Sequence, residues 1–531
     1  MRKEVLRPSS TGTWISYRGD GMKIGEVISA SVLSGIEVKL GLESPEGLKV
    51  GYPIIVEGAS YSFYCIVQDV YIPRSEVIDR IAGSRAGEAL IPLAGHEGVE
   101  GRLFSPRARL KPVQLIDRDG RLGEPETIPH YLAPVRLAEM ADVEKIYTPA
   151  PTSLPIGNLR GLKDFPVPLD FKKLVEKPFA IFGRTGMGKS ILSKIVCCGI
   201  LGRGVASVLI FDMHQEYGMF SRTDNSPGLK YFFPEGVEVF TLDPESNREA
   251  KPFLIDPREI TPADIIVAFQ DVTPQMVDAL YAVQRRKGAR DLPSAITEAT
   301  PEEYEGKVHG GALQALQRRV ERFGRFGFVQ GTTAGDAFYQ MVGLIKAGRS
   351  IVLDFGRYGH ETMAYLFVAN ILARRLYELY TEGKEDYPRL VVFLEEAHKF
   401  LDPRVAPYTI FDRLARETRK FNLILGLIDQ RPSRIDEEVR SQVANRLLLS
   451  LKDPADVASA LAGIPDRAVW EGVLSSIPPR SALVVGDAIR VPTVVEIMEY
   501  GTKRMRDALG KEGLDGAEME EISRRAEKLF E

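Results

Sequence analysis

Gly183 to Ser190 reads GRTGMGKS, placed directly after the apolar run FAIF and directly before ILSKIVCCGIL. Three glycines beside a lysine make a poor core helix, because glycine weakens helices and an ammonium is costly to bury without a partner. The stretch fits G-x-x-x-x-G-K-[ST] at every fixed position, which points to a loop that cradles phosphate. Gly183, Gly186 and Gly188 let backbone amides turn inward and approach phosphate oxygens. Arg184, Thr185 and Met187 fill the variable positions of the same loop. Lys189 brings positive charge to the β- and γ-phosphates, and Ser190 offers a hydroxyl to magnesium. The helix that begins there aims its positive end at the same anion. The expected ligands are ATP and Mg2+.

A phosphate loop between a strand and a helix implies an α/β core. The runs FAIFG, ASVLIFD, SIVLDF, RLVVFLEE and LILGLID are continuously apolar, as parallel strands buried on both faces should be. Helical stretches separate most of them, which favours a doubly wound, RecA-like P-loop NTPase core over residues 178–490. An insertion at about 257–345 carries apolar residues at helical spacing behind capping residues and is expected to be helical. Residues 1–145 hold short, regularly spaced strand-like runs and are expected to form a small β-barrel. Between them, residues 146–177 contain five prolines and read as an irregular connection. At the other end, residues 491–531 are expected to supply a hairpin strand and a charged amphipathic brace helix.

Hydrolysis needs acidic groups as well as a phosphate cradle. RLVVFLEE ends in Glu395 and Glu396. The first carboxylate of such a pair assists magnesium, and the second polarises the attacking water. Gln430 ends the next strand-like run, where an amide is placed to sense the γ-phosphate. Between those runs, DRLARETRKFN carries Arg413, Arg416, Arg419 and Lys420. Oligomeric ATPases commonly need an arginine from the adjoining subunit to offset transition-state charge, and Arg419, with Arg416 as substitute, is the candidate. QRRVERFGRFG groups Arg318, Arg319, Arg322 and Arg325 with Phe323 and Phe326; it is either a phosphate-contacting run or a helix that buries its phenylalanines.

Composition narrows the partners. Of 531 residues, 44% are apolar and 27% charged, and the net charge is -4, so the chain is no basic nucleic-acid coat, though a local basic surface stays open to it. The three cysteines suit a reducing compartment as small buried side chains. No apolar run reaches the roughly 18 residues of a membrane span. A cytoplasmic protein without a membrane partner is expected.

Taken together, GRTGMGKS, VLIFDMHQEYG, VVFLEEAHKFL, RETRKFNLILGLIDQRPS and VVGDAIRVP resemble, in this order, the HerA branch of the HerA/FtsK superfamily of DNA-pumping ATPases. The resemblance implies that Asp212, His214 and Glu216 sit beside the nucleotide. It further implies a homo-hexameric ring that moves along double-stranded DNA and works with a NurA-type nuclease in end resection and recombinational repair, the barrel being the docking surface. Two places depart from the family pattern: Arg184 and Met187 stand where smaller residues are frequent, and Asp429 stands where a small or hydroxyl residue is usual. Competing readings are a superfamily ATPase that moves protein or a conjugating strand, and a nucleotide-gated scaffold for a nuclease.

Overall fold

The computed structural model of the protein describes residues 23–41, 45–73, 105–221, 223, 225–269, 271–288, 291–304, 308–331, 337–383, 386–417 and 421–510. The chain divides into two units, Met1–Ile146 and Tyr147–Glu531.

The first unit is built from β1 (Lys23–Ser31), β2 (Gly35–Leu40), β3 (Pro53–Glu57), β4 (Tyr61–Tyr71), β5 (Arg107–Asp117), β6 (Leu122–Gly123) and β7 (Pro134–Leu137). The antiparallel order is β2-β1-β7-β3-β4-β5, and pairing of β2 with β5 closes the ring, while β6 adds a short hairpin to β5. This is the small barrel that the sequence spacing predicts. Closure requires bent strands, and the register shifts in β1 and β4 supply the bends. Alternate residues point inward, so Val27, Val38, Ile54, Val56, Phe63, Cys65, Val67, Leu110 and Val135 fill the interior.

In the second unit, β8 (Ser153–Leu159), β9 (Pro166–Asp170), β10 (Phe179–Phe182) and β11 (Ser207–Asp212) come first. The small hairpin β12 (Phe220–Ser221) and β13 (Ser226–Pro227) follows, then β14 (Val237–Thr241), β15 (Lys251–Pro252), β16 (Ser350–Asp354), β17 (Leu390–Glu395), β18 (Leu423–Asp429), β19 (Asn445–Leu449), β20 (Ser481–Val485) and β21 (Thr493–Ile497). All but the small hairpin join one 12-stranded sheet, ordered β15-β14-β16-β11-β17-β18-β10-β19-β20-β21-β8-β9. From β15 to β19 every pairing is parallel, and from β19 to β9 every pairing is antiparallel. The central parallel strands are buried along their whole lengths, which accounts for their unbroken apolar sequences.

The Pro-rich stretch expected to be an irregular connection instead supplies β8 and β9. Pro166 and Pro168 lie on the sheet's edge strand, where no outer neighbour asks for their missing N–H. Pro155 lies beyond the part of β8 that pairs with β21, Gly157–Leu159. Gly157 is required at that crossing, since a Cβ there would stand 2.1 Å from the Glu496 carbonyl oxygen. Strands β14 and β19, which the sequence reading passed over, complete the parallel part.

The segment between β15 and β16 is helical: Pro262–Ala268, Pro274–Lys287, Leu292–Glu298, Gly310–Val320 and Ala337–Lys346. Thr261 and Asp264 form a reciprocal cap at the first of these, with Pro262 at the position where a missing N–H is harmless. The last described helix is Lys503–Ala508, and the brace helix expected in the tail lies outside the described residues.

Candidate nucleotide site

The phosphate loop leaves β10 between its neighbours β18 and β19 and runs into the helix Lys189–Arg203. Backbone bonds moor it to both flanks: Gly183 N–H to the Asp429 carbonyl at 3.1 Å and Arg184 N–H to the Ser450 carbonyl at 3.4 Å. A Cβ on Gly183 would meet Leu449 Cβ at 2.7 Å, so the loop's first turn tolerates only glycine without a shift. Gly186 and Gly188 have φ values of 79° and 98°, in the left-handed region that favours glycine. Gly188 caps the helix and gives it no side-chain acceptor, which leaves the first amides for an anion. Lys189 and Ser190 are half-buried there, while Arg184 and Thr185 are exposed.

β17 delivers two carboxylates of different character. Glu395 is buried and accepts the Tyr217 hydroxyl at 2.8 Å. Burial pushes its carboxyl up to about 8, helped by Asp212 and Glu216 and opposed by the Tyr217 bond and by Lys189. Glu396 follows with φ 48°, a strained value for a residue with a side chain, and turns toward Gln430. Gln430 Nε2 lies 3.3 Å from Glu396 Oε2, and Gln430 Oε1 accepts the Thr185 hydroxyl at 2.8 Å. The loop, the second glutamate and the amide at the tip of β18 are thus one hydrogen-bonded set.

The donors fit a magnesium–nucleotide. Mg2+ takes few protein ligands and completes its octahedron with water and phosphate oxygens, so a hydroxyl and a nearby carboxylate suffice. Accordingly, the described residues contain no cluster of three or more His, Cys, Asp or Glu that would hold an ion unaided.

Asp212, at the tip of β11, is engaged by the loop that follows it. Its carboxylate is buried and accepts the N–H groups of Glu216 (2.8 Å), Tyr217 (2.8 Å) and Gly218 (3.1 Å). Burial, with Asp354 beside it, raises its carboxyl to about 6 against the pull of those amides. Asp212 therefore shapes the loop that brings Tyr217 to Glu395. Glu216 is buried in that loop, and His214 is exposed with its ring centroid 6.4 Å from that of His360.

Arg416 is committed within its own chain, to Asp412 at 2.8 Å and Glu438 at 2.5 Å. Arg419 and Lys420 lie outside the described residues. Phe323 and Phe326 are buried in an aromatic cluster with Phe269, Phe367, Phe328 and Tyr358. They are core rather than stacking platforms, and Arg319 is paired with Asp271.

Sequence reasoning missed Tyr217 and His398. Tyr217 follows Glu216 in the quoted HQEY run, but its contact with Glu395 spans 178 positions. His398 sits in EEAHKF, and its partner is Asp429.

The family model described as the central domain of the helicase HerA matches residues 154–376. The DNA double-strand break repair helicase HerA of Sulfurisphaera tokodaii is 26% identical over 426 residues, covering 73% of this chain and 77% of that protein. The helicase of the same name from Sulfolobus acidocaldarius is 25% identical over 503 residues, covering 91% of this chain and 94% of its own length. The solved structure of VirB4 from Thermoanaerobacter pseudethanolicus aligns with a TM-score of 0.47 and 15% identity, over 67% of this chain and 99% of that one. With the phosphate loop, the paired glutamates and the tip amide in the order seen here, the chain is similar to the HerA helicases, and its residues 154–376 match their central domain.

Proposed function

We propose that this chain is an ATP-driven translocase on double-stranded DNA, that it works as a hexameric ring, and that it serves a separate NurA-type nuclease in end resection and repair. The observation that supports the motor reading is the hydrogen-bonded set Thr185–Gln430–Glu396, which couples the phosphate loop to the second of the paired glutamates. Relatives named double-strand break repair helicases support DNA as the track.

In this reading Lys189 and the amides of the loop and helix start bind and orient the β- and γ-phosphates. Ser190, with Glu395 acting through water, would hold Mg2+, which would supply charge neutralisation at the phosphate oxygens. Glu396 orients the attacking water and takes its proton, and Gln430 senses whether the γ-phosphate is present. An arginine from a neighbouring subunit, Arg419, offsets charge in the transition state. A motor that slides along DNA contacts phosphates rather than base edges, so its grip is spread over many subunits.

Steady-state ATP hydrolysis with and without blunt duplex DNA at low salt tests the proposal. Strong stimulation by duplex is expected. An unchanged rate would move the assignment to a nucleotide-gated scaffold or a transporter of protein.

A further inference from the structure

Asp429 accepts from three donors where the tips of β17 and β18 meet. It ends β18, and its side chain is wholly shielded from solvent. One of its oxygens accepts the backbone N–H of His398 at 2.7 Å and the His398 ring Nδ1 at 3.0 Å. The other accepts the N–H of Arg431 at 2.6 Å. The first two donors belong to the turn that carries Glu396, and the third follows Gln430 directly. One carboxylate therefore joins the turns at the tips of β17 and β18, beyond the last backbone register between them, Glu395 with Ile428.

We propose that Asp429 and His398 are positioning residues that clamp the Glu396 turn to the Gln430 turn and so hold Glu396 in its hydrolytic geometry. The inference rests on the reading of Glu396 as the group that acts on water. Glu396 has φ 48° and needs surroundings that keep it there. The clamp supplies them two residues away, through bonds strengthened by the carboxylate charge. Because the acceptor is a carboxylate, the His398 proton sits on Nδ1, and the ring is fixed with Nδ1 3.7 Å from Glu396 Oε2. Burial alone would raise the Asp429 carboxyl, but the His398 ring and the two amides outweigh it and hold the group below its usual value. The clamp is thus charged and intact at neutral pH. A serine or alanine at position 429 offers at most one acceptor and cannot hold both turns.

The test compares Asp429→Ser, His398→Ala and His398→Asn in the full chain, the last keeping an N–H near the Nδ1 position. Asp429→Ser and His398→Ala should each lower kcat about 10- to 100-fold, the scale of a small misplacement of a catalytic group, with KM and fluorescent-ATP affinity within about twofold. His398→Asn should recover most of the loss, and the Asp429→Ser/His398→Ala double variant should be no worse than either single change. A kcat within twofold of wild type for both single variants overturns the clamp. So does a loss that follows weakened nucleotide binding, or an asparagine that rescues nothing. If Asp429→Ser does not fold, the alanine–asparagine pair at position 398 decides alone. Glu396→Gln run alongside separates the premises: full turnover in that variant refutes its assigned role, whereas a dead Glu396→Gln with active clamp variants refutes only the clamp.

Discussion

Gln430 Nε2 donates to Glu396 Oε2 across 3.3 Å while the opposite end of the same amide accepts from Thr185. Gln430 therefore joins the phosphate loop to Glu396, the residue proposed to polarise water. Glu396→Gln should bind ATP normally and lose turnover by about 10²- to 10⁴-fold, the range of a general base. Gln430→Ala should keep its affinity for ATP and show a smaller loss in kcat. Single-turnover hydrolysis beside equilibrium binding reads both effects, and a fully active Glu396→Gln would remove the assignment.

Glu395 gives a stability that varies with pH in metal-free protein. Its folded value of about 8 stands above the ordinary 4.5, so the folded chain holds the proton more tightly than the unfolded one. Stability from this group accordingly falls as pH rises from 4.5 toward 8. Glu395→Gln keeps the acceptor for Tyr217 and carries no charge. In EDTA it should melt higher than wild type at pH 8, by a difference on the order of 3 kcal/mol, and match it near pH 5. Equal melting at both pH values would show that Glu395 is charged without strain.

Gly183→Ala pushes a methyl group into Leu449, whose Cβ stands 2.7 Å from the new atom. A Cβ has no freedom to swing away, so β10 and β19 must part, at a cost of roughly 1–3 kcal/mol. ATP affinity should fall at least tenfold with a lower melting temperature, both read by calorimetry. Unchanged affinity would mean that the loop adapts.

Arg416 is exposed and engaged by Asp412 and Glu438, so Arg416→Ala should leave the melting temperature nearly unchanged and alter hydrolysis by less than about twofold. Arg419→Ala should stop turnover and leave assembly intact. Mixing it with wild-type chains should depress the rate below the mole-fraction average if the arginine acts across subunits. A linear dilution curve argues for action within one chain.

The barrel exposes Leu33, Ile72, Tyr131 and Leu132, apolar side chains that suit a protein partner. Removing residues 1–146 leaves every strand of the 12-stranded sheet in place. The remainder should hydrolyse ATP with DNA stimulation and fail to retain the nuclease in co-purification. Retention would put docking on the second unit.

Much of the core was legible because its chemistry is local. The phosphate loop is eight consecutive residues, and the parallel strands recognised in advance are apolar runs, most of them ended by a polar tip. Strands β8 and β9 were hidden by their prolines, whose tolerance depends on having no neighbour on one side, a property of the sheet and not of the segment. Strand β19 was hidden because NRLLL reads equally as helix or strand until β10 lies beside it. Tyr217 with Glu395, and Asp429 with His398, are contacts between strand tips that are far apart in sequence and adjacent only once the strand order is known.

β8, the first strand of the second unit, is hydrogen-bonded to β21, its last. The ATPase unit is therefore a closed circuit of chain, with entrance and exit side by side. A fragment trimmed to residues 178–490 would lose both members of that seam and bare the edge of β20, an invitation to edge-to-edge aggregation. A circular permutant that links the two ends and opens a surface loop elsewhere keeps the seam, and in that sense the fold has no terminus of its own.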